Sequence, residues 1–223
     1  MDVWEIEYKD RVEVESAQAI LSSNPFGPSI TRNEFGDLIG VTTTYFNEDN
    51  TLVKGIDLQI QYLINLKQSD LSINLMGTNL SDFKTPSLSN QNLMINRVGK
   101  FNFDTHTFSL PKKRINSFVS WNFKDLKISL NSRYLDGYIN ERAITGLGLT
   151  YGYSNQVKSF FVHDISFNKK LFISNSQLDL RLYLLNIFDK SAPRLYDAPD
   201  FSFDTRLHDP RGRILGLYVE YNF

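Results

Sequence analysis

The sequence predicts an all-β chain, a transmembrane antiparallel β-barrel with short turns at one end and long loops at the other. Three observations point there. Hydropathy alternates with period two over runs that approach the ~9–11 residues a tilted membrane-crossing strand needs, well above the ~5–6 of ordinary soluble strands. Connections between these runs alternate short and long, as in barrels with short periplasmic turns and long extracellular loops. Aromatic residues (11 Tyr, 17 Phe, 2 Trp) gather at the ends of the apolar faces, and the middles of those faces carry no Lys or Arg. A cation there would cost about 2–4 kcal/mol at the bilayer midplane.

Composition narrows the alternatives. In 223 residues, 41% are hydrophobic, which excludes a disordered chain. The mean hydropathy of -0.29, with no apolar stretch near ~18 residues, excludes membrane-spanning helices. With 24 basic and 25 acidic residues the net charge is -1, so no charge excess argues for nucleic acid or anionic lipid. The absence of cysteine removes disulfides, thiol chemistry and Cys-ligated metals. The first residues, Met1 to Tyr8, have neither the basic nor the apolar segment of a secretory leader. An outer-membrane protein needs one, so the chain is expected to be the C-terminal part of a longer protein.

Taken in order, the elements read as follows. Trp4, Ile6 and Tyr8 oppose Glu5, Glu7 and Lys9. Ser16 to Leu21 predicts a single helical turn, ended by the turn-forming run Asn24 to Pro28, and Asn33 to Asp37 predicts the turn of a small hairpin. Residues 56–67 alternate most cleanly: Ile56, Leu58, Ile60, Tyr62, Ile64 and Leu66 share a face opposite Asp57, Gln59, Gln61, Asn65 and Lys67, with Leu63 an exception. Leu71, Ile73 and Leu75 then oppose Ser72 and Asn74, with Met76 breaking the polar face.

Ile115, Val119, Trp121 and Phe123 lead through a tight Lys124-Asp125 hairpin into Leu126, Ile128, Leu130 and Tyr134. Phe161, Ile165 and Phe167 precede Leu178, Leu180, Leu182 and Leu184, and the last run carries Leu215, Leu217, Val219, Tyr221 and Phe223. These make about eight long strands. Short connections fall at 67–70, 124–125 and roughly 169–176; long ones at 12–50, 83–113, 139–156 and 189–211. No repeat or low-complexity tract marks a domain boundary.

Several segments, in order, resemble the C-terminal part of the barrel of TonB-dependent outer-membrane receptors. They are residues 2–12 with 16–21, Lys54-Gly55-Ile56-Asp57, Leu110-Pro111-Lys112-Lys113-Arg114, Asn186-Ile187-Phe188-Asp189-Lys190, similar to that family's Asn-Leu-Phe-Asp-Lys, and Asp209-Pro210-Arg211-Gly212-Arg213 before the final strand. The resemblance covers essentially the whole chain. It implies a bacterial outer-membrane location and a parent barrel of about 22 strands with a plugged lumen. Residues 1–223 would then be a partial barrel domain without the plug, either a fragment or a truncated gene product.

The resemblance also implies TonB-driven uptake of an iron chelate, cobalamin or oligosaccharide. The partners it implies are outer-membrane lipid, the barrel-assembly machinery, and TonB through a plug domain that this chain lacks. A terminal aromatic on an alternating last strand resembles the signal read by that machinery, here Leu217, Val219, Tyr221 and Phe223.

Candidate chemistry is sparse. His106, His163 and His208 lie on separate elements, and His163 and Asp164, adjacent on a strand, point to opposite faces, so no metal site is expected. Gly146-Leu147-Gly148 lacks the strand-loop-helix context of a phosphate cradle. Glu5, Glu7, Lys9, Asp57, Lys127, Arg133, Asp179, Arg181 and Glu220 are expected to face the lumen, where they solvate it, pair across strands or line a substrate path. Tyr151, Tyr153, Tyr196, Phe201 and Phe203 are loop aromatics able to stack on a ligand or to pack the loops together.

Asp209-Pro210-Arg211 reads as a rigid entry to the last strand. No catalytic residue, cofactor or nucleic-acid partner is expected. Three functions remain open: an uptake receptor, a self-contained small barrel acting as adhesin, passive channel or structural protein, and, last, a barrel-embedded enzyme, for which no nucleophile, base and orienter converge.

Overall fold

In chain order the first strands are β1 (Asp2–Tyr8), β2 (Arg11–Val14), β3 (Ile30–Arg32), β4 (Leu38–Val41), β5 (Tyr45–Glu48), β6 (Thr51–Asn65), β7 (Ser69–Pro86), β8 (Met94–Asn96) and β9 (Lys100–Phe101). They are followed by β10 (Lys113–Phe123), β11 (Leu126–Leu135), β12 (Tyr138–Asn140), β13 (Gln156–Val157), β14 (Phe160–Ile173), β15 (Ser176–Leu185) and β16 (Ile214–Asn222). A helix, α1 (Ala17–Ser23), lies between β2 and β3. The structure is a computed structural model and describes residues 1–48, 50–87, 93–102, 109–141, 150–196 and 201–223.

The long strands form one antiparallel sheet in the order β1-β6-β7-β10-β11-β14-β15-β16, with β8 added beside β7. Among the described residues β1 and β16 are its two edges and do not pair with each other. The alternation read along each strand becomes a pair of rows across the sheet. On one face Ile64, Leu71, Trp121, Ile128, Phe167, Leu182 and Leu217 stand side by side on seven strands. One residue along, on the opposite face, stand Asn65, Asp70, Asn122, Lys127, Asn168, Arg181 and Tyr218.

A slip of one residue anywhere would exchange the rows, so water on one side and hydrocarbon on the other together fix the parity of all seven strands. The apolar row faces outward: Leu215, Leu217 and Val219 are exposed, as lipid-facing side chains of an isolated wall must be. No helix among the described residues is long and apolar enough to cross a membrane.

Tight turns close one end of the wall. Lys124-Asp125 joins β10 to β11 and Ser174-Asn175 joins β14 to β15, with Lys124 and Ser174 each taking a positive φ that suits a twisted hairpin. The second turn is shorter than the 169–176 connection expected, because pairing continues through Leu171–Leu178 to Ile173–Ser176. At the other end β6 and β7 run on past the apolar band, to Thr51 and Pro86.

β1 pairs only with this upper part of β6, and there the face assignment changes. Trp4 lies on the side of Asp57, to which its indole Nε1 donates at 2.9 Å, and its ring fills the space a Cβ on Gly55 would occupy. Glu5 lies on the other side with Val3 and Ile56 and forms a 2.9 Å ion pair with Lys54. Glu5 and Glu7 are therefore outward, not lumen-facing as the alternation suggested. Above the bilayer both sides of the strand are wet, so the apolar residues follow local packing rather than lipid.

The loops carry their own small structures. β2 pairs with β5, and β3 with β4 around a turn at 33–37 with Gly36 at φ +86°. Helix α1 is capped by Ser16, whose Oγ accepts from the Ala19 N–H at 3.3 Å. β9, β12 and β13 form a three-stranded sheet in which β9 and β12 run parallel.

Candidate ligand-binding loop cluster

Three long loops meet over one end of the wall. Phe101 from the loop between β7 and β10, Tyr138 and Val157 from that between β11 and β14, and Leu195 from that between β15 and β16 form a buried apolar cluster, with Leu207 against it. In its midst sits a carboxylate, Asp204, only 4% exposed. The Ser109 hydroxyl and the Tyr138 hydroxyl (3.1 Å) both donate to its Oδ2, and the Arg206 backbone N–H donates to Oδ1 at 3.0 Å. Three donors from three chain segments satisfy the buried charge and thereby tie the loops together. Burial, with the Asp204 charge adding to it, pushes the Tyr138 hydroxyl well above its ordinary range, so it remains a donor.

His208 lies against the same cluster, 5% exposed, stacked on Tyr138 with centroids 6.4 Å apart and edge-on to Phe160 at 5.0 Å. Neither ring nitrogen has a hydrogen-bond partner among the described residues. Burial pushes its pKa down, opposed by the Asp204 charge. Arg97 is buried as well, donating from Nε to Thr85 Oγ1 at 3.1 Å, and burial lowers its pKa against the pull of Glu141 and Glu48. At the entry to β16 the Arg211 guanidinium clasps Asp209 at 2.6 Å and holds its carboxyl at about 2.

The loop aromatics separate into two groups. Tyr153 lies 6.3 Å from Tyr151 and 5.4 Å from Tyr196, ring centre to ring centre, and the Arg194 guanidinium stands 5.5 Å over the Tyr153 ring. Two loops thus contribute to one group of three phenol rings and a cation, with Tyr151 69% exposed. The Asn140 side chain anchors it by donating to the Tyr196 carbonyl at 2.7 Å. Phe201 and Phe203 form a separate stacked pair at 5.7 Å. Phenol rings beside a guanidinium suit a planar or aromatic ligand with hydrogen-bonding edges.

The two described histidines, His163 and His208, do not converge. His163 sits on β14, its Nδ1 2.8 Å from the Ser132 hydroxyl, between Phe161 and Phe188. Its neighbour Asp164 points the other way, toward Arg133 at 3.0 Å. His106 and Gly146-Leu147-Gly148 lie outside the described residues. No group of three potential metal ligands occurs among the described residues. Of the remaining lumen candidates, Arg181 donates to Asn168 at 2.8 Å and stands 5.7 Å over the Tyr218 ring, so this charge is held by its neighbours.

On β16, Leu217, Val219 and Tyr221 share the outer face; Phe223, just past the strand's end, meets Tyr221 edge to face at 4.9 Å and is fully exposed. The carboxylate clasp at Asp204 escaped the sequence reading. Its only local sign is an Asp two residues before an Arg in a loop, and its real partners lie far away in the chain.

Seven antiparallel strands with an apolar row outside and a polar row within, an eighth strand at their edge, and long loops gathered over one end make the wall of an outer-membrane type of β-barrel. Its solved counterparts include two variants of the ferric enterobactin receptor PfeA from Pseudomonas aeruginosa, each with a TM-score of 0.57 and 14% identity, covering 99% of this chain and 28% of theirs. The siderophore receptor PirA from Acinetobacter baumannii matches with a TM-score of 0.54 and 15% identity, over 99% of this chain and 29% of its own. The likeness is one of fold, and the chain spans less than a third of these receptors' length. No protein-family model and no curated protein matches the sequence.

Proposed function

We propose that residues 1–223 form the C-terminal part of the barrel domain of a bacterial outer-membrane receptor for TonB-dependent nutrient uptake. An iron chelate is the favoured cargo, ahead of cobalamin or an oligosaccharide. The observation that carries this reading is the match of 99% of the chain, as one uninterrupted run of eight wall strands, to receptors whose names specify ferric enterobactin and siderophores. In the intact receptor, TonB would act through a plug within the lumen, and the polar row on the inner face gives that plug a hydrophilic wall to lie against.

Tyr151, Tyr153 and Tyr196, with Arg194, are the proposed ligand contacts, and Phe201 with Phe203 a second contact surface. The assignment is transport rather than catalysis, in keeping with the receptors that share the fold. A self-contained eight-strand barrel would require β1 to pair with β16, and these are separate edges in the structure.

The test is growth of the source bacterium on ferric siderophores as sole iron supply, with the gene for the full-length protein deleted and then restored. Loss of growth on at least one ferric siderophore, regained on complementation, supports the reading. Tyr153→Ala combined with Tyr196→Ala should weaken binding of that siderophore about tenfold or more at unchanged surface level, since each stacked ring contributes roughly 0.5–1.5 kcal/mol. Unaltered uptake of every ferric siderophore by the deletion strain would remove it.

A further inference from the structure

The sheet fixes its register by two different means. At Lys124-Asp125 and Ser174-Asn175 two residues join partner strands, so the turn itself dictates which residues oppose one another. β15 and β16 are joined instead by residues 186–213, far too long a connection to do so. Alternation forbids a slip by one residue but tolerates a slip by two. Leu182 could then meet Leu215 or Val219 in place of Leu217, apolar still against apolar. β16 has a single partner in the described sheet, so no second neighbour corrects it.

A chain of hydrogen bonds supplies what the loop does not. Asp164 on β14 is held by Arg133 at 3.0 Å and Asn131 at 3.3 Å, both on β11, and its Oδ1 accepts the Asn186 N–H at 2.8 Å, directly beyond β15. The Asn186 side chain then closes a ring with Lys190, donating to its carbonyl and accepting from its N–H, both at 2.9 Å. Within that ring Asp189 takes φ +52°, a conformation Asp tolerates better than most residues, and its N–H donates to the Asn186 carbonyl at 2.9 Å. Its Oδ1 accepts the Arg213 N–H at 2.8 Å, immediately before the first β16 pair, Leu185 with Ile214. Gly212, at φ +71°, passes so close that a Cβ there would lie 2.9 Å from the same oxygen.

We propose that Asp189, fixed by the Asn186 ring, is the register stop of the final strand, its carboxylate capturing the Arg213 N–H and selecting the Leu185–Ile214 pairing over those displaced by two. The Asn-Ile-Phe-Asp-Lys segment thereby acquires a mechanical role. A two-residue slip would carry Phe223 about 7 Å along the strand, at about 3.4 Å per residue, and away from its level in the wall.

The test uses the full-length protein in outer membranes and exploits the lack of cysteine in this chain. Asp179→Cys with Glu220→Cys reports the observed register, and Asp179→Cys with Tyr218→Cys or Asn222→Cys reports the two displaced ones. With Asp189 in place, mild oxidation should cross-link the first pair at least ~tenfold over the others, a factor of ten corresponding to about 1.4 kcal/mol.

Asp189→Gly keeps the positive φ and removes the acceptor, and should bring a displaced pair to within about twofold of the first. Asp189→Asn keeps both and should behave as the parent. If Asp189→Gly does not accumulate, Gly212→Ala, which crowds the same oxygen, carries the same expectation. A dominant in-register cross-link in Asp189→Gly or, failing that, in Gly212→Ala, overturns the proposal, as does a displaced register in Asp189→Asn.

Discussion

His208 shows how one buried ring couples the loops to acidity. Its nitrogens have no partner among the described residues, Tyr138 stacks on the ring, Phe160 meets it edge to face, and the charge of Asp204, itself held by Ser109 and Tyr138, acts on it. Because burial lowers its folded pKa, the opened loops bind more protons than the closed ones, and the stability of the cluster rises with pH. The penalty begins as pH falls through the ordinary imidazole value of about 6.5 and is complete below the lowered folded value. Amide exchange at 138–140 and 156–157 should therefore accelerate between about pH 7 and pH 5 relative to exchange in the β10–β11 pair, after correction for intrinsic rates. His208→Phe keeps the stacking and should abolish that difference; persistence of the difference in His208→Phe would assign the pH response elsewhere. The sequence showed three scattered histidines and nothing of this arrangement, because Ser109, Tyr138 and Phe160 approach His208 and Asp204 from distant segments.

At the level of single elements, what the sequence disclosed follows the number of solvents each strand meets. β6 from Leu58, β11 and β16 separate lipid from a polar interior, and their faces were legible from the alternation, with Leu63 an exception. β1 pairs above the apolar band, and its alternation pointed Glu5 and Glu7 to the wrong side. The parallel pairing of β9 with β12 was not legible either, since two- and three-residue strands carry no periodicity.

Leu217, Val219 and Tyr221 lie on the outer face of β16, and we propose this face, together with Phe223 just beyond it, as the feature recognised by the barrel-assembly machinery. Removing Phe223 should slow assembly of the full-length protein severalfold, seen as a longer-lived protease-sensitive, non-heat-modifiable form. Phe223→Tyr should restore the parent rate. Equal rates for the parent and the shortened chain would reduce Phe223 to an ordinary interfacial residue.

In the whole molecule, two rows of side chains set the pattern. The row from Ile64 to Leu217 and the row from Asn65 to Tyr218 run across seven strands without exchanging faces, although the loops between those strands differ in length and structure. Such consistency arises when one external boundary, the bilayer, acts on every strand at once. The loops above it obey a different rule, in which buried carboxylates, rings and short strands set the arrangement, and that is why the ligand-facing part was less legible than the wall.

The most direct measurement is a nitroxide scan of residues 58–64 in the full-length protein in outer membranes, comparing collision with oxygen, which concentrates in lipid, and with a water-soluble nickel chelate. A membrane-spanning wall gives a period of two: oxygen access high at 58, 60, 62 and 64, low at 59, 61 and 63, and the chelate excluded from the first set. Equal oxygen access at both sets, or chelate access at 58, 60 and 62, would contradict a membrane-spanning wall.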